Sequence, residues 1–200
     1  MVFILLVFPV LQLEHVRAHP ETYSVGVEDE LHCEGPVAED EWRMTFMSLG
    51  QRLLEPIRSG CLHIDWECDE ANIIVDVEVS DRLAMLLRSI YVLGGKRAAR
   101  PFLLKKHAQA LIDRLTWLDS SLRLIEWDQI SNTAQIRGRP DTREGMPPEY
   151  FEIIVDHCPS ILLHRRSGNE TTPFHISNDC FVTLIDEMVR IVRSSGSEAA

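Results

Sequence analysis

Two hundred residues, 45% of them hydrophobic, are enough to bury a continuous core in one medium domain or two small ones, so neither a structural metal nor a disulfide framework is required. A formal charge of −11 opposes binding to a phosphate backbone unless the bases are segregated on one face. Along the chain they are segregated: residues 1–80 hold sixteen acids against four bases, and residues 82–143 hold twelve bases against five acids, which predicts an electrostatic dipole.

The chain opens on MVFILLVFPVLQLEHVRAH. With no Lys or Arg ahead of the apolar run, residues 1–22 read either as a signal peptide of a secreted protein or as the buried first strand of a cytoplasmic one. Pro9 and Gln12 interrupt the run too early for a membrane-spanning helix. Residues 23–33, YSVGVEDELHC, alternate around Val25, Val27 and Leu31 and predict a strand that stops at Gly35-Pro36. Residues 23–32 also resemble the opening strand of glutamate-cysteine ligases of the carboxylate-amine ligase type. That resemblance implies metal-binding roles for Glu28 and Glu30.

From Ala38 to Glu55, Trp42, Phe46, Leu49 and Leu53 recur at helical spacing. Glu39, Asp40 and Glu41 occupy the first turn, and Pro56 is expected to end the helix or bend its last turn. The segment CLHIDWECDEANIIVDVEVS, residues 61–80, then sorts into two faces if Cys68 to Ala71 form the turn. Glu67 faces Asn72, Trp66 faces Ile73, Ile64 faces Val75 and Leu62 faces Val77, with these last six inside. The wet face carries His63, Asp65, Glu67, Asp76 and Glu78, with Ile74 and Cys61 as its misplaced members.

Ser80 suggests an N-cap for a helix bearing Leu83, Leu86, Leu87, Ile90 and Tyr91 and ended by Gly94-Gly95. The connector GGKRAARPFLLKKH, residues 94–107, concentrates Lys96, Arg97, Arg100, Lys105 and Lys106. A further helix follows, with Leu104, Ala108, Leu111, Ile112, Leu115 and Leu118 on its inner side. Beyond Asp119 short apolar runs at 122–127, 133–137, 150–155, 161–165 and 172–176 predict an antiparallel meander, with 138–148 as its exposed loop. Ser177, Asn178 or Asp179 caps a last amphipathic helix that ends in the frayed tail 195–200. The helix, strands, helix order of this half is similar to that of ubiquitin-conjugating-enzyme-like interaction domains.

The expected fold is therefore α+β. Its N-terminal half reads strand, helix, hairpin, helix, and its C-terminal half reads helix, β-meander, helix. Residues 23–194 form a single domain with possible sub-lobes 23–95 and 102–194.

Motifs for chemistry are sparse. GxSxG, HExxH and phosphate-loop signatures are missing, and the five cysteines form no CxxC pair. Asp156-His157-Cys158 contains the residue types of a triad, but on an extended strand His157 would face away from Cys158. The first expectation is a soluble, non-enzymatic interaction module (adaptor, complex subunit or inhibitor-like binding protein). It would use the basic patch Lys96, Arg97, Arg100, Lys105 and Lys106, or the acidic hairpin face, against a protein with an acidic or phosphorylated surface. The alternative is a metal-dependent hydrolase or carboxylate-amine ligase-like enzyme holding Mg or Mn on His63, Asp65, Glu67, Asp76 and Glu78.

Overall fold

The computed structural model describes residues 47–95 and 104–194. Outside them lie the leader-like segment, the strand expected at 23–33 with Glu28, Glu30 and Cys33, the residues Trp42 and Phe46, the bases Lys96, Arg97 and Arg100, and the C-terminal tail.

Helix α1 spans Leu49–Arg58. Its start is set by a capping box in which Ser48 Oγ accepts from Gln51 N at 3.3 Å and Gln51 Oε1 accepts from Ser48 N at 2.9 Å. Ser48 is extended, at φ −65° and ψ 160°, so the single helix expected from Ala38 to Glu55 is corrected: the helix that holds Leu49 and Leu53 starts at Leu49, and residues 38–46 lie outside the described ones. Pro56 sits in the last turn, where only one backbone bond is lost, and the helix closes two residues later.

Strands β1 (His63–Glu67) and β2 (Ala71–Ser80) pair in the expected register, from His63 opposite Asp76 to Glu67 opposite Asn72. Ile64, Ile73, Val75 and Val77 are buried and Trp66 is half-buried, whereas Leu62, which precedes the strand, is 45% exposed; its carbonyl accepts from Val77 N at 2.7 Å.

The helix expected after Ser80 is a strand, β3 (Ala84–Gly94). Its inward residues, Met85, Leu87, Ile90 and Val92, step by two, three and two. The step of three comes from a bulge: Asp76 faces Ser89 and Val77 faces Leu87, which leaves Arg88 unpaired. That one irregular step places leucines, Ile90 and Tyr91 at spacings that imitate a helical stripe. Ser80, instead of capping a helix, donates from Oγ to Ile57 O at 3.1 Å and ties β2 to the end of α1.

Helix α2 (Leu104–Arg114) precedes the meander β4 (Arg123–Asp128), β5 (Thr133–Arg137), β6 (Glu149–Asp156) and β7 (Ser160–Ser167). The single strand expected at 172–176 is divided by Pro173, which has no N–H for a ladder. Strand β8 (Glu170–Thr172) pairs with β7, and β9 (Phe174–Ser177) crosses to β3. Helix α3 (Asn178–Ser194) closes the described chain, with Ser177 Oγ accepting from Cys180 N at 3.2 Å as its cap.

The antiparallel sheet has the order β1-β2-β3-β7-β6-β5-β4, with β8 on β7 and β9 on β3. One face buries Ile73, Val75, Ile90, Val92, Ile161, Leu163, Ile153, Val155, Ala134 and Ile136 in a single core with the apolar sides of the three helices. Helix α3 lies at the centre of that layer, touching α1, α2 and the middle strands. Its contact with α1 is close enough to require glycine, because a Cβ on Gly50 would lie 2.5 Å from Val182 O and 2.8 Å from its Cα. Gly50 N also donates to Asp186 Oδ1 at 2.9 Å. Gly50→Ala must push two helix backbones apart, and a loss of about 1–3 kcal/mol is expected in urea unfolding. An unchanged midpoint would contradict the close crossing.

Candidate functional site

The described helices all pack on one side of the sheet, and among the described residues the other face carries no helix. Residues directly opposite each other on paired strands point to the same face, so the ladders can be followed from edge to edge. One row runs His63, Asp76, Ser89, His164, Glu152, Arg137, Arg123 through all seven main strands, every residue in register with the next. Beside it runs Asp65, Ile74, Tyr91, Leu162, Ile154, Gln135, Glu126, whose middle four members form a half-buried apolar band.

Hydrogen bonds divide the polar row into two groups. In the first, Asp76 Oδ1 lies 2.7 Å from His63 Nδ1, and Asp76 Oδ2 accepts from Ser89 Oγ at 2.8 Å. In the second, Glu152 is 6% exposed and is ringed by donors. Gln135 Nε2 at 2.7 Å and Arg137 Nε at 2.8 Å reach Oε1, and His164 Nε2 reaches Oε2 at 2.8 Å. Arg166 Nε is shielded from solvent and lies 3.8 Å from Oε2, beyond hydrogen-bond reach. Burial alone would raise the Glu152 pKa. The hydrogen bonds from His164 and Arg137, with the charge of the guanidinium, outweigh burial and bring it down to about 2. One carboxylate is thus surrounded by two guanidinium groups and an imidazole. Arg137 also stacks over Tyr150, 5.3 Å from the ring centroid.

Of the five hairpin groups proposed as metal ligands, the structure brings together His63 and Asp76. Glu78 pairs with Arg88 at 3.1 Å, Asp65 stands across from Ile74, and Glu67 stands across from Asn72. Among the described residues, three ligating atoms within 4.8 Å of one another occur elsewhere, at Asp156, His157 and Cys158. There the strand expectation is overturned. Strand β6 ends at Asp156, and His157 and Cys158 lie in the turn, which swings Cys158 Sγ to 3.5 Å from His157 Nε2 while His157 Nδ1 bonds Asp156 Oδ1.

Lys105 and Lys106 fall in the first turn of α2, on the helix side of the sheet, and Lys105 Nζ lies 5.3 Å from the centre of the Trp127 ring. They are therefore separated by the sheet from Arg137 and Arg166, and the described bases divide between its two sides. The Glu152 centre escaped the sequence reading. Its local signal was a lone acid inside YFEIIV and a lone histidine inside ILLHR, each flanked by residues that had to be buried.

Among the described residues no helix is long and apolar enough to cross a membrane. Comparison with family models, curated proteins and solved structures finds no match to this chain.

Proposed function

We propose that the chain is a non-enzymatic protein-interaction module that receives a partner protein on the face of its sheet opposite the described helices. The observation that carries this reading is the half-buried band Ile74, Tyr91, Leu162 and Ile154, set between an acid-rich hairpin and the arginines Arg123, Arg137 and Arg166. An apolar strip with charged borders is how protein interfaces combine affinity with orientation. Because Glu152 offsets only part of the local positive charge, the partner segment over β5 to β7 is acidic or phosphorylated, and the hairpin end faces basic residues.

The test is association with the partner co-purified from the native host. Tyr91→Ala, at the centre of the band, is expected to weaken binding about 30-fold, the size of an aromatic hot spot. The melting temperature should change little, since Tyr91 is outside the helix-covered core. Undiminished binding by Tyr91→Ala and Leu162→Glu together would sink the reading. The enzymatic alternative is separated by a thermal melt in Mg or Mn, because a hard-cation site on the hairpin raises the melting temperature with cation concentration and a docking face does not.

A further inference from the structure

The β6–β7 connection holds a group of reactive side chains that the docking face does not use. Asp156 pairs with Ser160, so His157, Cys158 and Pro159 form a three-residue loop. The backbone of that loop is fixed from both sides. His157 N donates to Asn132 O at 3.1 Å in the β4–β5 turn, and Pro159 O accepts from Gly94 N at 2.7 Å at the end of β3.

An ionised carboxylate only accepts hydrogen bonds. The contact between Asp156 Oδ1 and His157 Nδ1 therefore places the ring hydrogen on Nδ1 and leaves the Nε2 lone pair for the thiol, 3.5 Å away. The two ring nitrogens meet different partners, one the carboxylate and the other the sulfur. The set therefore has the order of a relay, from carboxylate through imidazole to thiol. His157 and Cys158 are both exposed, whereas Cys61, Cys68 and Cys180 are half-buried. Cys61 and Cys68 donate to backbone carbonyls, His63 O at 3.1 Å and Ala71 O at 3.2 Å, which cannot take up a proton at neutral pH.

We propose that Cys158 is a thiol activated by His157, and that the loop is a site of reversible modification by low-molecular-weight disulfides. His157 Nε2 takes the thiol proton as Sγ attacks one sulfur of the disulfide. The bond from Sγ to that sulfur forms while the original S–S bond breaks, and the departing thiolate recovers the proton from Nε2. The small disulfide is the oxidant and is itself reduced, so no other electron acceptor is needed. Asp156 positions the imidazole and holds its tautomer.

The probe is glutathione disulfide, added to the reduced full-length chain at pH 7, with each cysteine followed by peptide mass spectrometry. Cys158 is expected to form its adduct about 10-fold faster than Cys61, Cys68 or Cys180, and faster than Cys158 in the urea-unfolded chain. His157→Gln should slow Cys158 about 10-fold and make its rate rise more steeply between pH 6 and 8, since hydroxide must then supply the thiolate. Asp156→Asn should give a smaller fall. The substitution at 157 keeps the backbone bond to Asn132, and the comparison with the unfolded chain needs no variant. If folded and unfolded Cys158 react at the same rate, or if His157→Gln reacts like the parent, the assignment is overturned.

Discussion

Glu152→Ala is expected to lower the free energy of unfolding by about 3–5 kcal/mol, the usual cost of removing one partner from a buried ionic group. The loss has two origins. Arg137 Nε, His164 Nε2 and Gln135 Nε2 each lose an acceptor, the buried His164 most severely, and the guanidinium groups of Arg137 and Arg166 lose the charge that lies beside both. Urea unfolding at pH 7 measures it. Acid titration gives an independent check, because the folded pKa of Glu152 is depressed from 4.5 to about 2. A depressed carboxylate contributes its stabilisation in full above the unfolded pKa and loses it as the pH falls toward the folded one. The contribution is about 3 kcal/mol, present above pH 4.5 and gone near pH 2. The alanine variant should therefore show a shallower decline of stability across that window. Parallel acid limbs in parent and variant would mean that Glu152 is not the group responsible.

Phe181→Ala carries the second large expected loss, about 3–5 kcal/mol. Phe181 is fully buried in the first half of α3. The cavity it would leave can shrink only if α3 settles toward the strands. That movement is resisted by the α1 crossing, where Gly50 already touches the backbone of Val182. A milder truncation, Phe181→Met, should cost less than the alanine variant, and the contrast between the two measures how little the site collapses. A loss below about 1 kcal/mol for the alanine variant would place the ring outside the core.

How much of this was legible beforehand depended on whether a feature is local. The β1–β2 register could be read because both strands alternate strictly around a short turn, and a slip by one residue would have put Ile73 and Val75 in water. The meander and the last helix were legible for the same reason. Strand β3 was misread because its bulge replaces the period of two by a single step of three, and no residue type marks where that step falls. The segment around Pro173 was misread because a proline within a short apolar run was allowed to stay inside one strand. The candidate site was legible only in part. His63 opposite Asp76 follows from one hairpin, but its continuation through Ser89 to His164 and Glu152 depends on β3 meeting β7, a pairing with no signature in either segment. The Asp156, His157 and Cys158 group depended on where β6 stops, a matter of one residue.

The same β3–β7 seam bears on how the molecule comes into being. Each flanking set of strands can zip up from neighbours in the chain, but the seam joins partners separated by α2 and three strands, so its closure carries the entropy of a long loop. During synthesis β3 leaves the ribosome well before β7 exists, with Leu87, Ile90 and Val92 on an edge that has no mate. That interval, rather than any weakness of the finished fold, is when a nascent copy is most open to pairing with the wrong chain.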